Sequence, residues 1–310
     1  MRYFPFFILL LAPLALLSSG CGTAVRLLAQ TQQDGDRSEG LTFYLGGAGP
    51  IGYVGSIDVP GGFKDAGYLG EVDVFTWQSL THAGDQMNLS RNRSKAAELA
   101  AEIRRYRRQY PSQKINLIAL SAGTGIAAFA LEYLPEGIQI DRAVFLGCSL
   151  SSKYDLTRAL RRVRGGLYVV HSEFDPILKN VVWYTGTVDR SSAEDGIAGL
   201  VGFRLPDQRG PDTERQYAKL HNVPYRYDFS DFGYEGRHTD CTSREFIAEF
   251  IAPAVMGDDR KLIGVPVAEW TAQHGNKRPR GRSPTTQRAR TGASGRPGTA
   301  TANRLPNSGN

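Results

Sequence analysis

The stretch that decides the fold is Ile115-Asn-Leu-Ile-Ala-Leu-Ser121-Ala-Gly-Thr-Gly125. A six-residue run with the composition of a buried strand leads straight into a serine. A nearly all-apolar helical pattern, Gly123–Leu134, starts two residues later. A serine held at so tight a strand-to-helix turn has its hydroxyl pushed out at the carboxyl end of the strand. Such a turn needs small residues two places before and two places after the serine, and these are Ala119 and Gly123. The helix that follows aims its unpaired N–H groups and the positive end of its dipole at the same point. A plainer reading makes Ser121 a cap on a buried helix. The rest of the chain has to decide between the two.

Working outward, short apolar or β-branched runs recur at Leu41–Leu45, Val72–Trp77, Ala143–Leu146, Leu167–His171 and Pro224–Phe229, each bounded by Gly, Pro or polar residues. Helical periodicity lies between them. In the predicted helix Ser94–Tyr110, Ala96, Leu99, Ala100, Ile103 and Tyr106 share a face, arginines crowd the last turn, and Pro111 ends it. Further helices are predicted over Asp155–Val163 and over Ser243–Ala254, the latter opening with Thr242-Ser243-Arg244-Glu245 at capping-box spacing. Strands alternating with helices imply an α/β fold, a mainly parallel sheet covered by helices on both faces. Sites in such sheets form outside the carboxyl ends of the strands.

A serine hydroxyl is a poor nucleophile until a base takes its proton, and the base needs an acid to hold its tautomer. Two later segments supply these types at strand ends. Gly166-Leu-Tyr-Val-Val-His-Ser-Glu-Phe-Asp175-Pro is an apolar strand followed by a short turn and an aspartate. Tyr225-Arg-Tyr-Asp-Phe-Ser-Asp-Phe-Gly-Tyr-Glu-Gly-Arg-His238-Thr-Asp is a strand, a glycine-containing loop, a histidine and the start of the last helix. Glu173 and Asp155 compete with Asp175 for the acid. His171, His221 and His82 compete with His238 for the base, and His171 is equally well a packed core histidine. Asp240 fits better as favourable charge at the start of the last helix.

Strand, elbow serine, acid loop and histidine loop, in that order, resemble the α/β-hydrolase superfamily, with Ala-x-Ser-x-Gly where the usual form is Gly-x-Ser-x-Gly. The resemblance covers roughly residues 41–256 and carries no large cap domain. It implies a serine hydrolase acting on carboxylic esters, with Ser121 as nucleophile, His238 as base and Asp175 as orienting acid. It also implies an oxyanion hole from the Ala122 N–H and a donor in Gly46-Gly-Ala-Gly-Pro50, either Gly47 or Ala48. No cofactor is called for. Trp77 and Tyr53 lie in loops near the expected site, lining a substrate pocket or packing in its rim. Residues 176–222, with the apolar stretch Ile197–Phe203, form the longest connection and could make a partial lid. The same triad would serve an acyltransferase, and a non-catalytic hydrolase-like protein binding a cell-surface partner is the reading of a different class.

Two appendages flank this domain. Residues 1–20 read as an export signal: Arg2, an apolar run from Phe4 to Leu17, then small residues. Ser18-Ser-Gly-Cys21 resembles the lipobox of bacterial lipoproteins, which implies lipidation of Cys21 and a membrane-anchored protein of the cell envelope, with plain secretion as the alternative. Residues 21–40 then form a polar tether. Residues 257–310 are expected to be a disordered basic tail, because the segment is polar and rich in Gly, Pro, Ser and Thr. Residues 271–310 hold eight Lys/Arg and no acid, so removing them and Arg2 from the formal +6 leaves −3 on residues 21–270. The basic balance belongs to the tail, which could touch anionic surfaces; the domain has no patch that reads as nucleic-acid binding. The spacing of Cys and His argues against a metal site. With Cys21 lipidated, Cys148 and Cys241 remain, free or bonded to each other.

Overall fold

The computed structural model describes residues 23–79 and 82–274. The expected export signal, Cys21 and the chain beyond residue 274 lie outside the described residues, as does the side chain of His82.

Seven strands form one sheet: β1 (Leu41–Leu45), β2 (Glu71–Val74), β3 (Ile115–Leu120), β4 (Arg142–Leu146), β5 (Leu167–His171), β6 (Leu220–Pro224) and β7 (Val265–Pro266). Their order is β2-β1-β3-β4-β5-β6-β7, with β1 to β6 parallel and β7 antiparallel at the edge. The helices are α1 (residues 23–30), α2 (Asp58–Asp65), α3 (His82–Met87), α4 (Leu89–Gln109), α5 (Gly123–Tyr133), α6 (Thr157–Leu160), α7 (Trp183–Thr185), α8 (Ala198–Val201), α9 (Pro211–Tyr217), α10 (Arg244–Phe246), α11 (Ala252–Met256) and α12 (Val267–His274). A π-helical turn, Ile247–Ile251, joins α10 to α11.

Alternate strand residues feed two cores because successive side chains point to opposite faces. Phe43, Leu117, Ala119, Phe145 and Val169 pack with α4, α5 and α6 on one face. Tyr44, Ile118, Leu120, Val144 and Val170 pack with α2 and the helical run from Phe246 to Val255 on the other. Burial on both faces explains why β3 reads as an unbroken run. This is an α/β-hydrolase-like fold, with no separate cap domain among the described residues.

Several boundaries differ from the sequence expectation. The last parallel strand is Leu220–Pro224, and residues 227–229 of the expected Pro224–Phe229 strand fall in a 3₁₀ turn, Tyr227–Phe232. Pro224 lacks an N–H and closes the strand, after which Tyr225 N–H still donates to His171 O at 2.8 Å. The strand expected over Val72–Trp77 stops at Val74. α4 starts at Leu89, five residues before the expected Ser94, because the Asn88 side chain caps it by accepting from Arg91 N–H at 3.0 Å. The capping box at Thr242–Glu245 is not made; Ser243 Oγ instead donates to Phe232 O at 2.7 Å.

The appendages are also shorter than expected. Of the polar tether expected over residues 21–40, residues 25–40 are fastened to the domain. Arg26 pairs with Asp73 at 2.8 Å, and the Gln33 amide pairs with both the N–H (2.6 Å) and the C=O (2.7 Å) of Val72. The amide thereby covers the open edge that β2 would otherwise present. Residues 265–274, inside the expected tail, form β7 and α12. Val267 and Trp270 supply the apolar contacts that the composition of the whole tail concealed, with the Trp270 indole N–H on Val201 O at 2.9 Å.

Candidate active site

Ser121 has φ 55°, one of two non-glycine residues with positive φ among the described residues. A left-handed non-glycine residue costs about 1–3 kcal/mol and persists only where its surroundings impose it. Those surroundings are visible. Ser121 N–H donates to Leu146 O at 2.9 Å, and Ser121 O accepts from Thr124 N–H at 3.0 Å and Thr124 Oγ1 at 2.5 Å, starting α5. Gly123 passes so close to the end of β1 that a Cβ there would lie 2.5 Å from Gly46 O and 2.8 Å from Leu45 O. The turn after β3 therefore fixes both the serine backbone and the glycine two residues on.

At the end of β5, Asp175 is buried and its carboxylate is fully used. Oδ1 accepts from the N–H groups of Ile177 and Leu178, both at 2.9 Å, and Oδ2 lies 2.6 Å from His238 Nδ1. His238 is equally buried and comes from the loop after the 3₁₀ turn that follows β6. Asp240 shapes that loop, its Oδ2 accepting from the N–H groups of Glu235 (3.0 Å) and Arg237 (3.3 Å), rather than acting as free charge at the last helix. Gly147, just past β4, lets the pair approach: a Cβ there would sit 3.2 Å from His238 Nδ1 and 3.5 Å from Asp175 Oδ2. Gly147 also has φ 50°. The sequence reading passed over it, because a glycine after a strand looks like any turn.

The competing residues lie elsewhere. Asp155 caps α6 through Thr157 N–H and Oγ1, at 2.9 and 2.6 Å. Glu173 lines a separate cavity. His171 is buried edge-on to Trp270, ring centroids 5.0 Å apart, and burial pushes its pKa down to about 4 against a smaller upward pull from the Leu200 backbone. His221 stacks on Tyr168 at 5.4 Å. Cys148 and Cys241 are both free and buried. Burial pushes the Cys148 thiol up to about 12 and Cys241 well above its ordinary value, so neither is a ready thiolate. Cys241 donates weakly to His238 O at 3.2 Å and shares a core with Phe246.

The glycine-rich loop after β1 borders the serine. A Cβ on Gly47 would fall 3.1 Å from Ser121 Cβ and 3.6 Å from Ser121 Oγ. Trp77 is core rather than pocket lining: its indole N–H donates to Gly46 O at 3.0 Å. The Gln78 amide donates to Gly47 O at 3.2 Å and Gly52 O at 3.1 Å. A trans peptide sets the next N–H opposite its carbonyl. Both the Gly47 and Ala48 N–H vectors are therefore turned away from the Trp77 and Gln78 donors. Tyr53 ends the same loop and is half-buried.

The connection after Asp175 crosses this region. A π-helical turn, Leu178–Val182, leads through α7 to Val188, whose N–H donates to Ser149 O at 3.0 Å and whose side chain lies over Gly125. Leu178, Val182, Ala193 and Ile197 form a small core of their own. The later part of the connection is scaffold, with α9 packed on α6. Ser121, Asp175 and His238 are 3 %, 2 % and 3 % exposed. No hydrogen bond joins Ser121 Oγ to His238 among the described residues. Cavities of about 410 Å³ beside Arg204 and about 320 Å³ beside His171 and Trp270 do not include the three residues. Among the described residues no cluster of three or more His, Cys, Asp or Glu is placed to hold a metal, and no helix is long and apolar enough to cross a membrane.

No family model matches the chain, and no curated protein matches it. Among solved structures the chain is similar to a Trichoderma reesei cutinase in complex with a C11Y4 phosphonate inhibitor, at 13% identity and TM-score 0.37, over 81% of this chain and 90% of that one.

Proposed function

We propose that this chain is a serine hydrolase that cleaves carboxylic esters through an acyl-enzyme intermediate. One observation carries the reading: Ser121, held at φ 55° at the end of β3, donates its N–H to Leu146 O, and the next residue, Gly147, lies against a buried, hydrogen-bonded Asp175–His238 pair. Ser121 Oγ attacks the ester carbonyl carbon while His238 Nε2 takes the hydroxyl proton, and Asp175 holds Nδ1–H and steadies the imidazolium. The Ala122 N–H and an N–H of Gly47 or Ala48 receive the developing oxyanion. Collapse expels the alcohol, which leaves with the proton from His238. Water, deprotonated by His238, then attacks the acyl-enzyme and releases the acid with Ser121 restored.

We further propose, from the lipobox-like Ser18-Ser-Gly-Cys21, that Cys21 is lipidated and that the activity lies at the cell envelope.

The test uses the full chain with a fluorophosphonate probe and short aryl esters. Covalent labelling and hydrolysis are expected, both lost in Ser121→Ala, with activity down by about 10⁴-fold or more. An intact folded chain that takes no label overturns the reading in favour of non-catalytic binding. Acyl transfer to added alcohol that outruns hydrolysis redirects it to an acyltransferase.

A further inference from the structure

A buried carboxylate that the reaction itself does not use stands beside the site. Asp85, on α3, is completely buried, and it collects donors from three separate segments. Its Oδ2 accepts from Gly49 N–H at 2.8 Å, in the glycine-rich loop after β1. Both oxygens accept from Ser79 N–H, at 2.7 and 2.9 Å, in the connection after β2. Its Oδ1 accepts from Arg91 Nη1 at 2.9 Å, on α4. The same Arg91 donates through Nη2 to Trp77 O at 2.6 Å, and the Asn92 amide, itself buried, donates to Asp85 O at 2.7 Å.

A carboxylate accepting several N–H groups out of water is held firmly, and losing it leaves each donor unpaired in a dry site. Gly49 sits two residues from Gly47, where a Cβ would fall 3.1 Å from Ser121 Cβ, and Gly49 has φ 60°. Trp77 and Gln78 pull the carbonyls of Gly46, Gly47 and Gly52 one way, and Asp85 pins the Gly49 N–H from another direction. The first two hold the Gly46–Gly47 and Gly47–Ala48 peptides, which carry the Gly47 and Ala48 N–H groups, and Asp85 holds the adjoining Ala48–Gly49 peptide. The next residue, Gln86, donates to Gly186 O at 3.0 Å, so α3 also holds the chain just after α7.

We propose that Asp85 is a positioning residue for oxyanion stabilisation: it presets the glycine-rich loop so that the Gly47 or Ala48 N–H faces the charge that develops on the substrate. This rests on the reading of Ser121 as nucleophile. The residue acts through Gly49 and does not touch the reacting atoms.

The experiment compares wild type, Asp85→Asn and Arg91→Gln, each titrated for active sites with a fluorophosphonate so that misfolded protein is not counted. Short aryl esters give kcat and KM. Asp85→Asn turns an acceptor into a donor against an N–H, so kcat per titrated site is expected to fall about 10- to 100-fold with KM within about threefold, less than the loss on deleting an oxyanion donor outright. Arg91→Gln leaves the Gly49 and Ser79 contacts in place and is expected to cost less, in the same direction. A merely structural Asp85 would lower the yield of titratable sites and the melting temperature and leave kcat per site unchanged. That outcome, in Asp85→Asn or in Arg91→Gln should the former not fold, overturns the proposal. A wild-type chain that hydrolyses and labels while the variants keep full kcat sinks only the role of Asp85. A wild type that does neither sinks the hydrolase reading and this proposal with it.

Discussion

The two halves of the site are built from different materials. The Asp175–His238 half stands on apolar packing: β5 and β6 beneath it, the aromatic cluster of Tyr225, Phe229, Tyr234, Phe246 and Phe250 beside it, and Gly147 making room for the ring. The oxyanion half stands on buried polar contacts, with Asp85, Arg91, Gln78 and the Trp77 indole holding a loop of glycines. Apolar packing tolerates small shifts and recovers by repacking. A polar clamp is all or nothing, because each unmet donor in a dry site carries its full desolvation cost. Apart from the Asp175–His238 hydrogen bond itself, the first half should therefore fail through geometry and the second through loss of single hydrogen bonds.

The largest effect expected within the first half comes from Asp175→Asn. The amide cannot accept from His238 Nδ1–H while also accepting from Ile177 and Leu178 with the same economy, so the imidazole adopts the wrong tautomer. The kcat on a short ester should fall by about 10⁴-fold with the fold intact by circular dichroism. A loss below about tenfold would show that Asp175 does not orient the base. Gly147→Ala probes geometry alone. The new methyl meets His238 Nδ1 at 3.2 Å, on a backbone with φ 50°. We expect kcat lower by about 10- to 100-fold and a stability loss of about 1–2 kcal/mol by urea unfolding. An alanine variant with wild-type kcat would mean that the pair has slack at this point.

The same contrast explains what was legible in the sequence. β1, β3, β4 and β5 stand where their apolar runs place them, since a strand buried on both faces writes itself as a continuous run. The elbow and the acid loop follow β3 and β5 directly, so their spacing could be read locally, whereas His238 follows β6 only after the 3₁₀ turn Tyr227–Phe232. β6 could not. His221 and Asn222 dilute its pattern, and Asn222 is buried because its amide pairs with both the N–H and C=O of Phe203, each at 2.9 Å. Asp85 was equally silent: His82-Ala-Gly-Asp-Gln-Met reads as an ordinary polar turn. Its donors come from residues 49, 79 and 91, and convergence from separate segments leaves no local pattern. Val267 and Trp270 were hidden by averaging over a tail whose remainder is polar and basic.

The smallest effect on catalysis at neutral pH concerns the footing of the apolar half. His171 ends β5, four residues before Asp175, and both its ring nitrogens lack hydrogen-bond partners. Burial lowers its pKa from 6.5 to about 4, so between those values the unfolded chain binds a proton that the folded one does not. The stabilisation is fully present above pH 6.5 and is lost as pH falls from there through about 4. Integrated over that window it amounts to about 3 kcal/mol, an upper bound because the denatured chain keeps some structure. His171→Leu should flatten the pH dependence of urea unfolding between pH 6.5 and 4 while changing stability at pH 7.5 by less than the wild type loses over that range. If the slope stays, the proton is taken up elsewhere and β5 is not where acid first loosens the Asp175–His238 pair. If it goes, acid inactivation of the wild type should precede global unfolding, and the variant should keep its activity to lower pH.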